Sequence, residues 1–178
     1  MGNMRLSLAS RPAGIMAGLC CFLLMAGCGY RLAGSGRMPA AVESLFIPVF
    51  ANRSSLTGIE NDFTGSLIEE FTRRRGVPLV EEGAAEAVLS GTITSISTAT
   101  VTHRDAYTSS RRRVRVALKV RLVSRDGRVI WAADDFSQDG IYTVESEKYA
   151  TDQNLRAAVV KIAGDLAERI YNRLTVDF

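Results

Sequence analysis

The chain is short of the residues that most enzyme chemistry needs. It has one histidine, His103, in 178 residues. A single imidazole beside Arg104 in a polar stretch, with no cysteine or converging carboxylates near it, makes a poor metal ligand and reads as a solvated loop residue. No G-x-S-x-G elbow marks a nucleophile. The Gly-rich stretch Gly29–Gly36 lacks the Lys-Ser/Thr of a phosphate-binding loop and follows no strand. Asp134 and Asp135 are adjacent, so in a strand they point to opposite faces and make a poor acid/base pair. No catalytic set and no metal site are therefore expected.

Cysteine is equally scarce, with three in all. Cys20 and Cys21 lie inside an apolar run, Ile15–Met25, preceded by Arg5 and Arg11 and by no acidic residue. That is the form of a secretory signal. The run is shorter than the ~20 apolar residues that span a bilayer. It ends in Leu24-Met25-Ala26-Gly27-Cys28, with small residues at the cleavage site and a cysteine just after it. This resembles the lipidation box of bacterial lipoproteins, except that Met25 stands where leucine is usual. The expected organisation is a signal peptide over 1–27, a lipidated tether over 28–40 and one domain over 41–178. Cys28 would carry an N-acyl and an S-diacylglycerol group and would be the mature chain's only cysteine. A disulfide framework is then excluded, and the apolar core alone must hold the fold. Gly29 is not the aspartate that resembles an inner-membrane retention signal, so the outer membrane is the expected location.

Charge of one sign is also lacking. The formal net charge is +3, and loss of Arg5 and Arg11 with the signal lowers it to +1. So small a charge excludes bulk electrostatics as a guide to partners; only local distribution can matter. Nucleic acid is not an expected ligand.

Patterning is plentiful in the remainder. Ser44–Phe50 reads as a strand, with Pro48 favouring an edge or a bulge. Thr57 and Glu60 suggest a capping box, followed by Ile59, Phe63, Leu67, Ile68 and Phe71 at helical spacing. Arg73–Arg75, Gly76 and Pro78 end that helix. Leu79–Glu81 suggests a short strand. Val88–Val101 is a strand whose alternation breaks, so a bulge is expected near Thr94–Ser95. Thr102–Arg111 reads as a polar loop. Along Arg112–Val123, Val114, Val116, Leu118, Val120 and Leu122 share one face, while Arg113, Arg115, Lys119 and Arg121 share the other. Asp126-Gly127 turns this strand into a partner over Arg128–Phe136, with a last segment at Ile141–Val144. A second helix is expected over Asp152–Leu174, with Thr151 or Asp152 as its N-cap. The order predicts an α+β fold: two helices on one face of a four- or five-stranded mixed or antiparallel sheet.

The four cations Arg113, Arg115, Lys119 and Arg121 are the candidate binding residues. Like charges two residues apart repel, which a solvated face can balance with carboxylates on neighbouring strands. Alternatively they form an anion-binding surface suited to phosphate.

Taken in order, Cys28-Gly29-Tyr30-Arg31-Leu32, then Phe46-Ile47-Pro48-Val49-Phe50-Ala51-Asn52-Arg53-Ser54, then Glu60, Phe63 and Thr64, then Ala87-Val88-Leu89-Ser90-Gly91-Thr92-Ile93 resemble the lipopolysaccharide-assembly lipoprotein family LptE. The resemblance implies a non-enzymatic outer-membrane lipoprotein. It would be seated in the lumen of an LptD-type β-barrel, would help that barrel assemble and would bind lipopolysaccharide. A competing expectation from the residues is a lipid-anchored regulator of a periplasmic cell-wall enzyme. The short tether counts against it, reaching only about 40 Å when extended.

Overall fold

The computed structural model describes residues 38, 42–101 and 110–176. The signal, Cys28, His103 and most of the Thr102–Arg111 stretch lie outside the described residues. The elements in chain order are β1 (Leu45–Phe46), β2 (Ala51–Asn52), α1 (Ile59–Arg74), a 3₁₀ turn (Glu82–Ala84), β3 (Ala87–Thr100), β4 (Ser110–Ser124), β5 (Val129–Val144) and α2 (Lys148–Val176). The architecture is α+β, as expected: two helices against an open five-stranded mixed sheet.

The sheet order is β1-β3-β4-β5, and β2 pairs with β3 on the same side as β1. Both short strands run parallel to β3, whereas β3–β4 and β4–β5 are antiparallel. Of the strand expected over Ser44–Phe50 only Leu45–Phe46 pairs; the chain passes through Pro48, which has no N–H for a ladder, and pairs again beyond that segment at Ala51–Asn52. Leu79 makes only an isolated bridge to Leu45, so no separate strand forms over Leu79–Glu81. The two expected segments Arg128–Phe136 and Ile141–Val144 merge into the continuous β5.

β4 sits at the centre and obeys its pattern strictly. Val114, Val116, Leu118, Val120 and Leu122 are each 0% exposed. They face α1 and α2 through one apolar core that includes Phe63, Leu67 and Phe71 from α1 and Val159, Ile162, Leu166 and Ile170 from α2. On β3 the register with β4 slips between Ile93 and Ser95. Thr94 is the extra residue, and its hydroxyl donates to the Ala117 carbonyl at 2.9 Å. The bulge keeps Leu89 and Ile93 inward before it and Ile96 opposite Val116 after it.

The helices run in the same direction. Arg156 donates to the Thr57 carbonyl at one end, and Phe71 packs edge-on against Tyr171 at the other, ring centroids 5.1 Å apart. The capping box does not form as Thr57 and Glu60. Gly58, in the left-handed region at φ 87°, is the N-cap, and its N–H donates to the Glu60 carboxylate at 3.0 Å. Only glycine adopts that φ cheaply, so it displaces Thr57 from the cap. α2 begins at Lys148 rather than Asp152, and Thr151 instead bonds both the N–H and the carbonyl of Glu145. The lead segment also contributes to the core, with Met38 and Val42 buried at 6% and 4%.

Phe50 fills the inner face of the sheet where β3 has no side chain. A methyl group at Gly91 would overlap the Phe50 ring. Gly91→Ala is therefore expected to destabilise the fold by about 1–3 kcal/mol, the range for overpacking a tight core. Thermal unfolding measures this, and adding Phe50→Leu should recover part of the loss; an unchanged melting temperature would show the contact to be slack.

Candidate functional site: the open face of the sheet

Strict alternation on β4 leaves Arg113, Arg115, Lys119 and Arg121 on the face the helices do not cover. Their side chains are 52–59% exposed. The register then decides their neighbours. Arg115 lies opposite Asp139 on β5, and Arg121 and Lys119 lie opposite Ser90 and Thr92 on β3. The four candidates separate into two pairs with different chemistry.

Arg115 is committed. Its Nε and Nη2 donate to the two Asp139 oxygens at 2.6 and 3.1 Å, a fork-on-carboxylate geometry. Arg113 reaches the same carboxylate only at 4.0 Å. Hydrogen bonding from Arg115 holds the Asp139 carboxyl below its ordinary range; desolvation opposes it, and the charges of Arg115 and then Arg113 add smaller lowering effects.

Lys119 and Arg121 are held loosely. Both approach a single oxygen of Asp134 at 3.7 Å, longer than a hydrogen bond. They face the other way into a cleft of about 260 Å³ that Arg53, Ser90, Thr92 and Thr94 also line. Three cations and three hydroxyls thus surround a space the size of one small polar group.

Arg53 is placed there by the turn after β2. Its N–H donates to the Ile93 carbonyl at 2.9 Å, tying the turn to β3. Asn52 organises the rest. Its amide donates to the Leu56 carbonyl at 2.8 Å and to Glu60 at 2.9 Å, while its carbonyl oxygen accepts from the Ser54 N–H and hydroxyl at 2.9 and 2.7 Å. Bonds to the Glu60 backbone, to the Asn52 amide and to the Gly58 N–H lower the Glu60 carboxyl, with burial opposing them.

Sequence reasoning reached Lys119 and Arg121 but missed Arg53, Ser90, Thr92 and Thr94. The polar half of the β3 alternation was visible. That it lies beside the β4 cations depends on register, which is non-local. Among the described residues, no group of three His, Cys, Asp or Glu side chains could hold a metal, and no helix is long and apolar enough to cross a membrane.

These features define an α+β domain whose helices cover one face of the sheet and whose other face carries a cationic, hydroxyl-lined cleft. Residues 42–174 match the family model LptE, described as lipopolysaccharide-assembly, and the chain belongs to that family. It is therefore a lipopolysaccharide-assembly lipoprotein of a non-enzymatic family. The fold is similar to that of a minor lipoprotein from Acinetobacter baumannii, at 13% identity and a TM-score of 0.52, covering 78% of this chain and 95% of that one. It is also similar to rare lipoprotein B from Shewanella oneidensis, at 15% identity and a TM-score of 0.50, covering 70% of this chain and 92% of that one. No curated protein sequence matches the chain.

The depressed Asp139 carboxyl makes a prediction about acid. A carboxyl lowered in the folded state adds stability above its unfolded pKa of about 3.9, and that stability is lost as pH falls through the lower folded value. Arg115→Gln should raise the Asp139 midpoint in an NMR pH titration and flatten the acid limb of the stability curve. An unmoved midpoint would mean that the fork is not maintained in solution.

Proposed function

We propose that this protein is the outer-membrane lipoprotein subunit of a lipopolysaccharide translocon. It binds lipopolysaccharide through the cationic face of its sheet and pairs with an LptD-type β-barrel that it plugs and helps to assemble. Cys28, acylated, holds it to outer-membrane lipid, with the domain on the periplasmic side or in the barrel lumen.

The observation that carries the binding half is the cleft between Arg53, Lys119 and Arg121. Phosphate suits this set: arginine offers a planar fork, lysine a compact charge, and Ser90 and Thr92 offer neutral donors, while the Thr94 hydroxyl is spent on the Ala117 carbonyl. The loose Asp134 contacts leave both β4 cations free to exchange partners, because exposed pairs at that distance contribute little. A phosphate group with more than one negative charge would outcompete that carboxylate. Arg113 and Arg115 remain secondary contacts in this reading, since Arg115 would have to give up a bidentate partner. At about 260 Å³ the cleft admits one phosphate or sugar-sized headgroup element, so the acyl chains of the ligand lie elsewhere. Family membership supports the barrel partner and the outer-membrane location.

The Cys28→Ala form should be recovered in the soluble fraction and should keep ligand binding through the folded domain. In that background, Lys119→Glu with Arg121→Glu should weaken lipopolysaccharide binding about tenfold or more, because charge-assisted bonds contribute ~1.5–3 kcal/mol each. Arg113→Glu with Arg115→Glu should weaken it less. Fluorescence titration with purified lipopolysaccharide measures both. Unchanged binding by the folded Lys119/Arg121 variant would return the stripe to a merely solvated face.

A further inference from the structure

The two free borders of the sheet are finished differently. β5 is one of them. The Ser137 carbonyl accepts from Arg169 at 2.9 Å, and the Thr143 carbonyl accepts from Asn154 at 3.0 Å. Side chains of α2 therefore occupy acceptors on that edge, which hinders a further strand from adding there.

Among the described residues the other border is left open along half of β3. β1 and β2 pair with it only at Ala87–Val88 and Thr92–Ile93. Past Ile93, among the described residues, only β4 pairs with β3. The turn at Arg53, fixed by Asn52, leads the chain away from the rest of that edge. The Val101 N–H donates to the Arg111 carbonyl on β4. Alternation then directs the backbone N–H and carbonyl groups of Ile96, Thr98 and Thr100 to the open side. Among the described residues none of these six groups has a partner on that side. The segment Ser95-Ile96-Ser97-Thr98-Ala99-Thr100 contains no charge and no proline, the usual guards of a free edge, and is rich in β-forming Thr and Ile.

We propose that the open edge of β3 over Ser95–Thr100 is a strand-addition site for an extended acidic segment of a partner polypeptide. Backbone hydrogen bonds to Ile96, Thr98 and Thr100 would supply the ladder. Charge selects the acidic occupant. The adjoining stretch of β4 carries Arg111, Arg112, Arg113 and Arg115, with Asp139 the one carboxylate in ion-pair range of any of them among the described residues. A second copy of this chain, pairing edge to edge, would bring two such cationic arms onto one short ladder, and like charges across strands are unfavourable. The site is separate from the Lys119/Arg121 cleft and does not depend on what that cleft binds.

The probe is a synthetic hexapeptide of alternating Val and Asp, with a Val/Lys peptide as its counterpart, titrated into the full chain. The Val/Asp peptide should slow amide exchange at Ile96, Thr98 and Thr100, the alternate positions, while the Val/Lys peptide should not. Thr98→Pro removes an outward donor that the β3–β4 ladder does not use, so it should weaken Val/Asp binding about tenfold with far-UV dichroism unchanged. Arg112→Glu should weaken it as well, and it decides the matter if the proline variant does not fold. Absent protection at saturating peptide, unchanged binding by the folded variants, or equal binding of the Val/Lys peptide would each overturn the proposal. So would a dimer, seen by sedimentation, that Thr98→Pro dissolves, because the occupant would then be a second copy.

Discussion

The two-residue period of β4 is the constraint on which the structure depends. Five of its side chains are wholly buried between the sheet and the helices. A slip of one residue would expose them and drive Arg113, Arg115, Lys119 and Arg121 into the core. Burying each Val or Leu contributes roughly 1.5–3 kcal/mol, so five amount to about 8–15 kcal/mol. That is of the order of a whole domain's net stability, about 5–15 kcal/mol. Register is thereby fixed before any polar contact is made, and the cationic face follows from it. β4 pairs on both sides, so it also fixes where β3 and β5 place their hydroxyls and carboxylates.

What could be read from the sequence was what repeats locally. The β4 pattern, the Asp126-Gly127 turn and the two apolar helix stripes give the α+β class directly. The bulge was legible because Ile96 falls out of phase with Leu89, Gly91 and Ile93, and one extra residue restores it. Ser44–Phe50 was not legible in detail: its apolar residues suit a strand, but the chain meets β3 only at Leu45–Phe46 and again at Ala51–Asn52. The first helix cap was misread because Thr57 and Glu60 have the right spacing, while Gly58 takes the left-handed conformation between them. Arg53 could not be assigned to the site from its neighbours in sequence. It reaches Lys119 and Arg121 only because β2 pairs with Thr92–Ile93, a contact about forty residues away along the chain.

The two faces of the sheet do different work. One is closed by α1 and α2 and supplies the stability. Among the described residues the other carries no helix, and its charged groups are exposed, so rearranging them costs little and leaves the core untouched. That division suits a binding surface whose partners must come and go. It also explains why the ion pairs are unequal. The Arg115–Asp139 fork is tight and local, while Lys119, Arg121 and Asp134 form a looser group beside open space. In the proposed reading the first orders the face and the second exchanges its carboxylate for a phosphate.

The most direct measurement is photo-cross-linking in cells, with a photoreactive residue placed at Thr92 on the cleft floor or at Val160 on the exposed side of α2. If the open sheet face is the ligand surface, the Thr92 probe yields lipopolysaccharide adducts and the Val160 probe does not. Adducts from Val160 alone would put the ligand on the helical layer and contradict the account.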